Sequence, residues 1–316
     1  MISLVVPVFN EEQSLRLLHE EIVTVLAEAK LEAEMIFVDD GSTDASWREI
    51  QQLASRDPRV RALRFRRNFG KAAALSAAFE TVHGQFVITL DSDLQDSPAE
   101  IPKLLAKLGQ GYDLVNGWKR RRFDPWHKIF PSRVFNWMVR SVSGLNLHDH
   151  NCGLKCYRAE VVREISIYGE LHRFITLLAH ARGFKVTEVE VLHRPRAYGQ
   201  SKYGAGRFLK GLLDLLTVRV LTIFGERPLH FLGIAGLLAF AIGSLGMSYL
   251  AFLWVMGHRP IGNRPVLIYS VAFLLLGAQM ITAGILAELI LSRLGANGRS
   301  YSVAEQIGEG TPAKIR

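Results

Sequence analysis

Apolar runs of six or seven residues recur through the first part of the chain: ISLVVPV (2–8), EMIFVDD (34–40), VRALRF (60–65), QFVITL (85–90) and YDLVNG (112–117). Most are too continuously hydrophobic for a strand with one wet face, so they predict short strands covered on both sides. Between the first two, positions 11–30 place Leu15, Leu18, Ile22, Val25 and Leu26 at helical spacing. Strands alternating with helices predict an α/β fold with a mostly parallel sheet, helices on both faces and ligands at the carboxyl ends of the strands.

The pattern changes after residue 230. Residues 231–257 and 265–287 contain no Asp, Glu, Lys or Arg, and each exceeds the roughly 20 residues a helix needs to cross a bilayer core. They predict two transmembrane helices within 228–292, packed through the small residues Gly233, Gly236, Gly243, Gly277, Ala278 and Gly284. HRPIGNR (258–264) is then a hairpin on the far side of the membrane. Basic residues flank both spans and also occur in the hairpin, which leaves the charge asymmetry weak. The expectation that the N-terminal part is cytoplasmic, with an inner-membrane location and a cytoplasmic tail at 293–316, rests on a first segment, MISLVVPVFNEE, without a basic leader. Two cysteines among 316 residues, Cys152 and Cys156, fit a reducing compartment. Their spacing with His148 and His150 is not that of a zinc ribbon.

VITLDSDLQDSP (87–98) drives an apolar strand into Asp91, Asp93, Gln95 and Asp96. Ordinary turn chemistry would account for this stretch alone. Two other strands end in PVFNEE (7–12) and VDDGSTD (38–44), so carboxylates from three strands converge on one rim. Such convergence is costly unless a cation or hydrogen-bonding ligand is shared. A divalent ion carried by a nucleotide diphosphate supplies that cation, and hard oxygen donors suit Mg²⁺ or Mn²⁺. No phosphate-binding loop of the ATPase type and no dinucleotide-binding glycine fingerprint follows any strand.

VVPVFNEE, FVDDGSTD, RNFGKAAALSAAF and TLDSDLQDSP, in this order, resemble the inverting family-2 glycosyltransferases with a GT-A (Rossmann-like mixed sheet) fold. DHNCGLKCYRAEVV, YGELHRFI, HRPRAYGQSKYG and the paired C-terminal spans are similar to the branch that loads sugars onto polyprenyl phosphate, the dolichyl-phosphate mannose synthases and bactoprenyl-phosphate glycosyltransferases. The resemblance implies a GT-A domain over residues 1–203. It assigns Pro7, Phe9, Glu11, Asp39 and Asp40 to the nucleotide, and Asp91 and Asp93 to the D-x-D pair. Asp91, Asp93 and Gln95 form its metal set, with Asp93 and Gln95 the direct ligands. Lys71 is placed near the nucleotide, against the alternative of a solvent-facing helix terminus. Lys119 and Arg133 are assigned to the lipid phosphate, Arg196 and Lys202 to the diphosphate leaving group, and Asp149 to the catalytic site with Asp93. For Arg194 a plain salt bridge competes, and for Glu170 and Arg173 a surface ion pair competes with sugar recognition.

The net charge of +8 raises nucleic acid as a partner. Between 119 and 140, however, seven Lys or Arg residues interleave with Trp126, Phe130, Val134, Trp137 and Met138 at helical spacing. That pattern suits a helix over about 125–143 lying in a membrane interface, with a second interfacial helix over 204–227 and no nucleic acid. The reading is a membrane glycosyltransferase moving a hexose from a nucleotide-diphosphate sugar of the UDP-glucose or GDP-mannose type to polyprenyl phosphate, with a homo-oligomer left open. A polysaccharide synthase is disfavoured by the absence of Q-x-x-R-W. A non-catalytic scaffold would lack the acidic ligands that stand here.

Overall fold

The computed structural model describes residues 1–120, 139–140, 144–169, 171–195, 228–258 and 260–295. The chain divides into two compact units, Met1–Arg219 and Val220–Arg316.

The first unit is built on strands β1 (Ile2–Val8), β2 (Ala33–Asp39), β3 (Val60–Arg64), β4 (Phe86–Thr89), β5 (Leu114–Trp118), β6 (Lys155–Arg158) and β7 (Val186–Glu190). They form one sheet in the order β3-β2-β1-β4-β6-β5-β7. β1 pairs in parallel with β2 and β4, β2 with β3, and β5 with β7, while β6 runs antiparallel between β4 and β5. The strand order reverses direction at β1, which opens a crevice at its carboxyl end.

Burial explains why the central strands read as continuous apolar runs. Every residue of β2, and all of β1 except Pro7, is buried. Leu4, Val6, Met35, Phe37 and Ile88 enter one core with α1 (Leu15–Glu28), α2 (Ser46–Arg56) and α4 (Ile101–Leu108). Val5, Ile36, Val38 and Val87 enter the other with α3 (Lys71–Phe79), α5 (Ala159–Glu164) and α6 (Ile175–Ala181). Adjacent residues thus face opposite cores, and each buried side chain of this size contributes roughly 1.5–3 kcal/mol. The predicted parallel sheet with helices on both faces is found. β6 and β7 were not among the predicted strands: KCYR and VTEVE are short and carry charged residues, so neither stands out as an apolar run.

At the amino-terminal edge of the sheet the buried carboxylate of Glu34 is held by four groups. It accepts from Ser3 Oγ (2.5 Å), the His83 amide (2.7 Å) and Arg61 Nη1 (2.7 Å), with His83 Nδ1 at 3.2 Å. Burial pushes its pKa up, but these hydrogen bonds outweigh it and hold the carboxyl at about 2.

The second unit contains two long helices, α7 (Pro228–Val255) and α8 (Pro265–Gly295). Both are long and apolar enough to cross a membrane. Large apolar side chains such as Leu238, Leu245 and Ile268 face outward, while the two helices meet through glycine. A β-carbon on Gly277 would lie 2.6 Å from the Gly236 carbonyl oxygen, and one on Gly243 would lie 2.7 Å from the Ser270 carbonyl oxygen. Gly284 faces Leu229 and Leu232 of α7, whereas Gly233 is near only Leu229 of its own helix.

Two predictions follow from this packing. The folded-state pKa of Glu34 lies below its unfolded value of 4.5, so its stabilisation is complete above that pH and is lost as pH falls towards 2. Acid titration of the unfolding free energy is expected to show a loss of about 3 kcal/mol over this window, which Glu34→Gln removes. Gly277→Ile is expected to force α7 and α8 apart and to lower the stability of the detergent-solubilised protein by about 1–3 kcal/mol in thermal unfolding.

Candidate active site

The carboxyl ends of β1, β2, β4 and β5 and the loop before β6 supply the site. Phe9, Asn10 and Glu11 leave β1 beside the β2–α2 loop. The Asn10 amide donates to Ser42 Oγ (2.9 Å), the Thr43 amide to Asn10 Oδ1 (2.8 Å) and the Glu11 amide to Ser46 Oγ (2.8 Å). Pro7, Phe9 and Glu11 are each partly exposed on this rim.

Asp39 and Asp40, assigned above to the nucleotide, have partners within the chain. Asp39 is fully buried, accepts from the Ser42 amide (3.0 Å) and pairs with Arg64 Nε (3.3 Å). Asp40 accepts from the amides of Phe69 (2.7 Å) and Gly70 (2.9 Å). Burial pushes its pKa up, the adjacent Asp39 charge adds to this, and the two amides oppose it. Asp40 thereby fastens the β3–α3 loop and delivers Lys71 to the site.

Lys71 Nζ donates to Asp91 Oδ1 in a close ion pair, which excludes the alternative of a solvated helix terminus. Burial raises the pKa of Asp91, yet the charges of Lys71, Lys119 and Lys155 bring it down to about 2. Its carboxylate rests on Gly153: a β-carbon there would come 2.4 Å from Asp91 Oδ2, so any side chain would displace the acid. Past Asp91 the chain makes a tight turn with Leu94 at φ 61°, and the Gln95 amide donates to Asp93 Oδ1 (3.2 Å). Asp93 and Gln95 are therefore side by side and partly exposed.

Lys119, assigned above to the lipid phosphate, forms an ion pair within the chain. Its ammonium lies 2.6 Å from Asp96 Oδ1, with the lysine side chain 13% exposed and the aspartate fully buried. Burial alone would lower the lysine pKa, but Asp96 and Asp91 raise it above its ordinary value. Lys119 is thus the internal counter-ion of the acidic turn.

Asp149 is 1% exposed. Its carbonyl accepts from Asn116 Nδ2 and its Oδ1 from the Asn151 amide (3.0 Å), while Glu188 lies 3.4 Å from its own amide. Glu188 also binds His148, which stacks on Trp118 at 4.2 Å. His150 is buried against Thr176 Oγ1 (3.0 Å), and burial takes its pKa down to about 4. Cys152 and Cys156 are buried, which raises both thiols to about 12. Arg194 forms the salt bridge weighed above, with Glu21 (2.8 Å). Arg133, Glu170, Arg196 and Lys202, most of the 125–143 segment and all of 204–227 lie outside the described residues.

Two site residues, Lys155 and His172, were not identified in the sequence. Lys155, from β6, is 4% exposed, donates to the Cys152 carbonyl and lies near Asp91, with burial lowering its pKa. His172 sits in the one-turn helix Leu171–Phe174, close to Lys71, Lys155 and Asp91, and burial holds it neutral. A lysine inside the otherwise apolar GLKCY was the one available signal. Among the described residues no group of three or more His, Cys, Asp or Glu side chains is arranged to hold a metal. The donors that fit a divalent ion are the hard oxygens of Asp93 and Gln95, a partial set that a diphosphate would complete.

Comparison with known proteins agrees with this architecture. The family Glycosyl transferase family 2 matches residues 3–166. A dodecaprenyl-phosphate galacturonate synthase from Rhizobium johnstonii is 39% identical over 92% of this chain and 87% of its own length. An undecaprenyl-phosphate 4-deoxy-4-formamido-L-arabinose transferase from Pseudomonas aeruginosa is 36% identical over 96% of this chain and 86% of its own. Among solved structures, glucosyl-3-phosphoglycerate synthase from Mycobacterium tuberculosis, in complex with Mn²⁺, UDP and phosphoglyceric acid, superposes with a TM-score of 0.55 at 21% identity. It covers 69% of this chain and 78% of the other, a likeness of fold. The strand order, the acidic rim and the two near-full-length relatives together make this chain a glycosyltransferase, a member of glycosyl transferase family 2.

Proposed function

We propose that the protein transfers a sugar from a nucleotide-diphosphate sugar to polyprenyl phosphate with inversion, at the cytoplasmic face of a bacterial inner membrane. The observation that carries this reading is the similarity to two polyprenyl-phosphate sugar enzymes, which spans 92% or more of the chain. The sugars in those two names, a galacturonate and a formamido-arabinose, differ from the glucose and mannose types expected above. A wider donor class, including uronic and amino sugars, therefore replaces them. The two apolar helices support membrane anchoring, with the basic aromatic segment at 125–143 and the 204–227 segment as its interfacial contacts.

In this reading Pro7, Phe9 and Glu11 border the nucleotide. Asp39 and Asp40 shape its seat through the loops they hold. Asp93 and Gln95 would hold a Mg²⁺ or Mn²⁺, which would supply charge neutralisation for the departing diphosphate. Asp91 acts less as a ligand than as the keeper of Lys71, holding an ammonium beside that charge. Arg196 and Lys202 complete the neutralisation.

The acceptor explains why no strong base is needed. An alcohol requires a base to become a good nucleophile, but a phosphate monoester has a second pKa near 6 and arrives largely ionised. The difficulty is bringing one anion towards another, and fixed cations lower that barrier. Arg133 takes this role for the lipid phosphate. Asp149, immobilised by Asn116 and Glu188, orients the substrate rather than removing a proton.

Two measurements test the assignment, with turnover read as lipid-extractable product from a panel of radiolabelled UDP- and GDP-sugars. Asp93→Asn is expected to keep the wild-type unfolding temperature and to lower turnover about 10²-fold; near-normal turnover in chelator-treated membranes would exclude the metal site. Arg133→Ala is expected to reduce transfer to lipid phosphate far more than nucleotide-sugar binding, and equal effects on both would remove Arg133 from the acceptor site.

A further inference from the structure

The turn that carries Asp93 and Gln95 is held in place from outside the site. Leu94 occupies the left-handed region, a conformation that a side chain of this size adopts only when its surroundings impose it. The restraint comes from the segment that follows β7. The Arg194 amide donates to the Gln95 carbonyl (2.9 Å), and Asp96 and His193 form an antiparallel bridge. The Arg194 side chain then closes the turn from the other end. Nη2 donates to Ser97 Oγ (2.8 Å), and Nη1 donates to both carboxylate oxygens of Glu21 on α1 (2.8 and 2.9 Å). Ser97 is 1% exposed, and Glu21 precedes the fully buried Ile22. One arginine therefore links three things: the backbone of a proposed metal ligand, the residue after the acidic turn, and a helix rooted in the core.

We propose that Arg194, braced by Glu21, is a positioning residue that holds the Asp93–Gln95 turn in its metal-binding conformation. The inference rests on the metal reading given above. Arg194 does not touch the ion in this account. Without its side chain, Ser97 and α1 no longer restrain the turn, Leu94 relaxes, and the Gln95 oxygen departs from Asp93. An ordinary half-exposed ion pair would contribute little to stability and nothing to metal affinity.

The two roles separate in a Mn²⁺ titration of the full-length, detergent-solubilised protein, in which electron paramagnetic resonance counts free Mn²⁺ with UDP or GDP present. Arg194→Ala and Glu21→Gln are expected to raise the Mn²⁺ concentration for half-saturation about 10-fold, the lower end of what outer-sphere partners contribute. Arg194→Lys, which can keep one contact, is expected between them and wild type. Metal-free unfolding temperatures should stay near wild type, and the kcat of Glu21→Gln should recover at saturating Mn²⁺. A shift below about threefold in folded Glu21→Gln, or a kcat that excess Mn²⁺ does not restore, overturns the proposal. Wild-type protein that binds no Mn²⁺ with either nucleotide overturns the metal reading itself, and the positioning role with it.

Discussion

The site depends on compensating acid with lysine. Asp91, Asp93 and Asp96 fall within six positions, and Asp96 is fully buried. Like charges at this density would raise one another's pKa or open the turn. Lys71 arrives from the start of α3, Lys119 from the end of β5 and Lys155 from β6. Each comes from a different element, so the charge balance exists only once the sheet has formed and the β3–α3 loop has been tied to Asp40. Fold and site are in that sense one construction. A pair such as Lys119 and Asp96 is a poor source of net stability, but removing one partner would strand the other in the core.

The two ends of the sheet use charge differently. At the amino-terminal edge both oxygens of Glu34 are saturated by Ser3, Arg61 and His83, which ties β1, β2 and β3 together. At the carboxyl edge Asp91 and Asp96 are compensated by lysine side chains, and Asp93 and Gln95 remain partly exposed. A saturated end and an end that keeps partly exposed oxygens suit a sheet whose one rim accepts a ligand.

How much of this was legible in the sequence depended on the length and purity of each signal. β1, β2 and the two long C-terminal helices announce themselves as apolar runs, and the acidic turn is visible because it interrupts one. β6 and β7 are invisible by the same criterion, since four or five residues with a lysine, an arginine or two glutamates make no periodic pattern. The partners of Asp39, Asp40 and Lys119 were equally out of reach: a carboxylate near a strand end looks the same whether it awaits a ligand or ties down the next loop. Only the register of β5, β6 and β7 brings Lys119, Lys155 and Arg194 against the turn between 91 and 97.

The burial of Cys152 and Cys156 has a practical consequence. Both thiols are protonated at neutral pH because the core disfavours the thiolate, and the thiolate is the species that alkylating and spin-label reagents attack. They are the only cysteines in the chain. Reporter groups can therefore be attached at a single introduced cysteine, on the rim or between the two long helices, without first replacing the native pair. The environment of the rim then becomes observable in a chain whose packing around Cys152 and Cys156 has been left untouched.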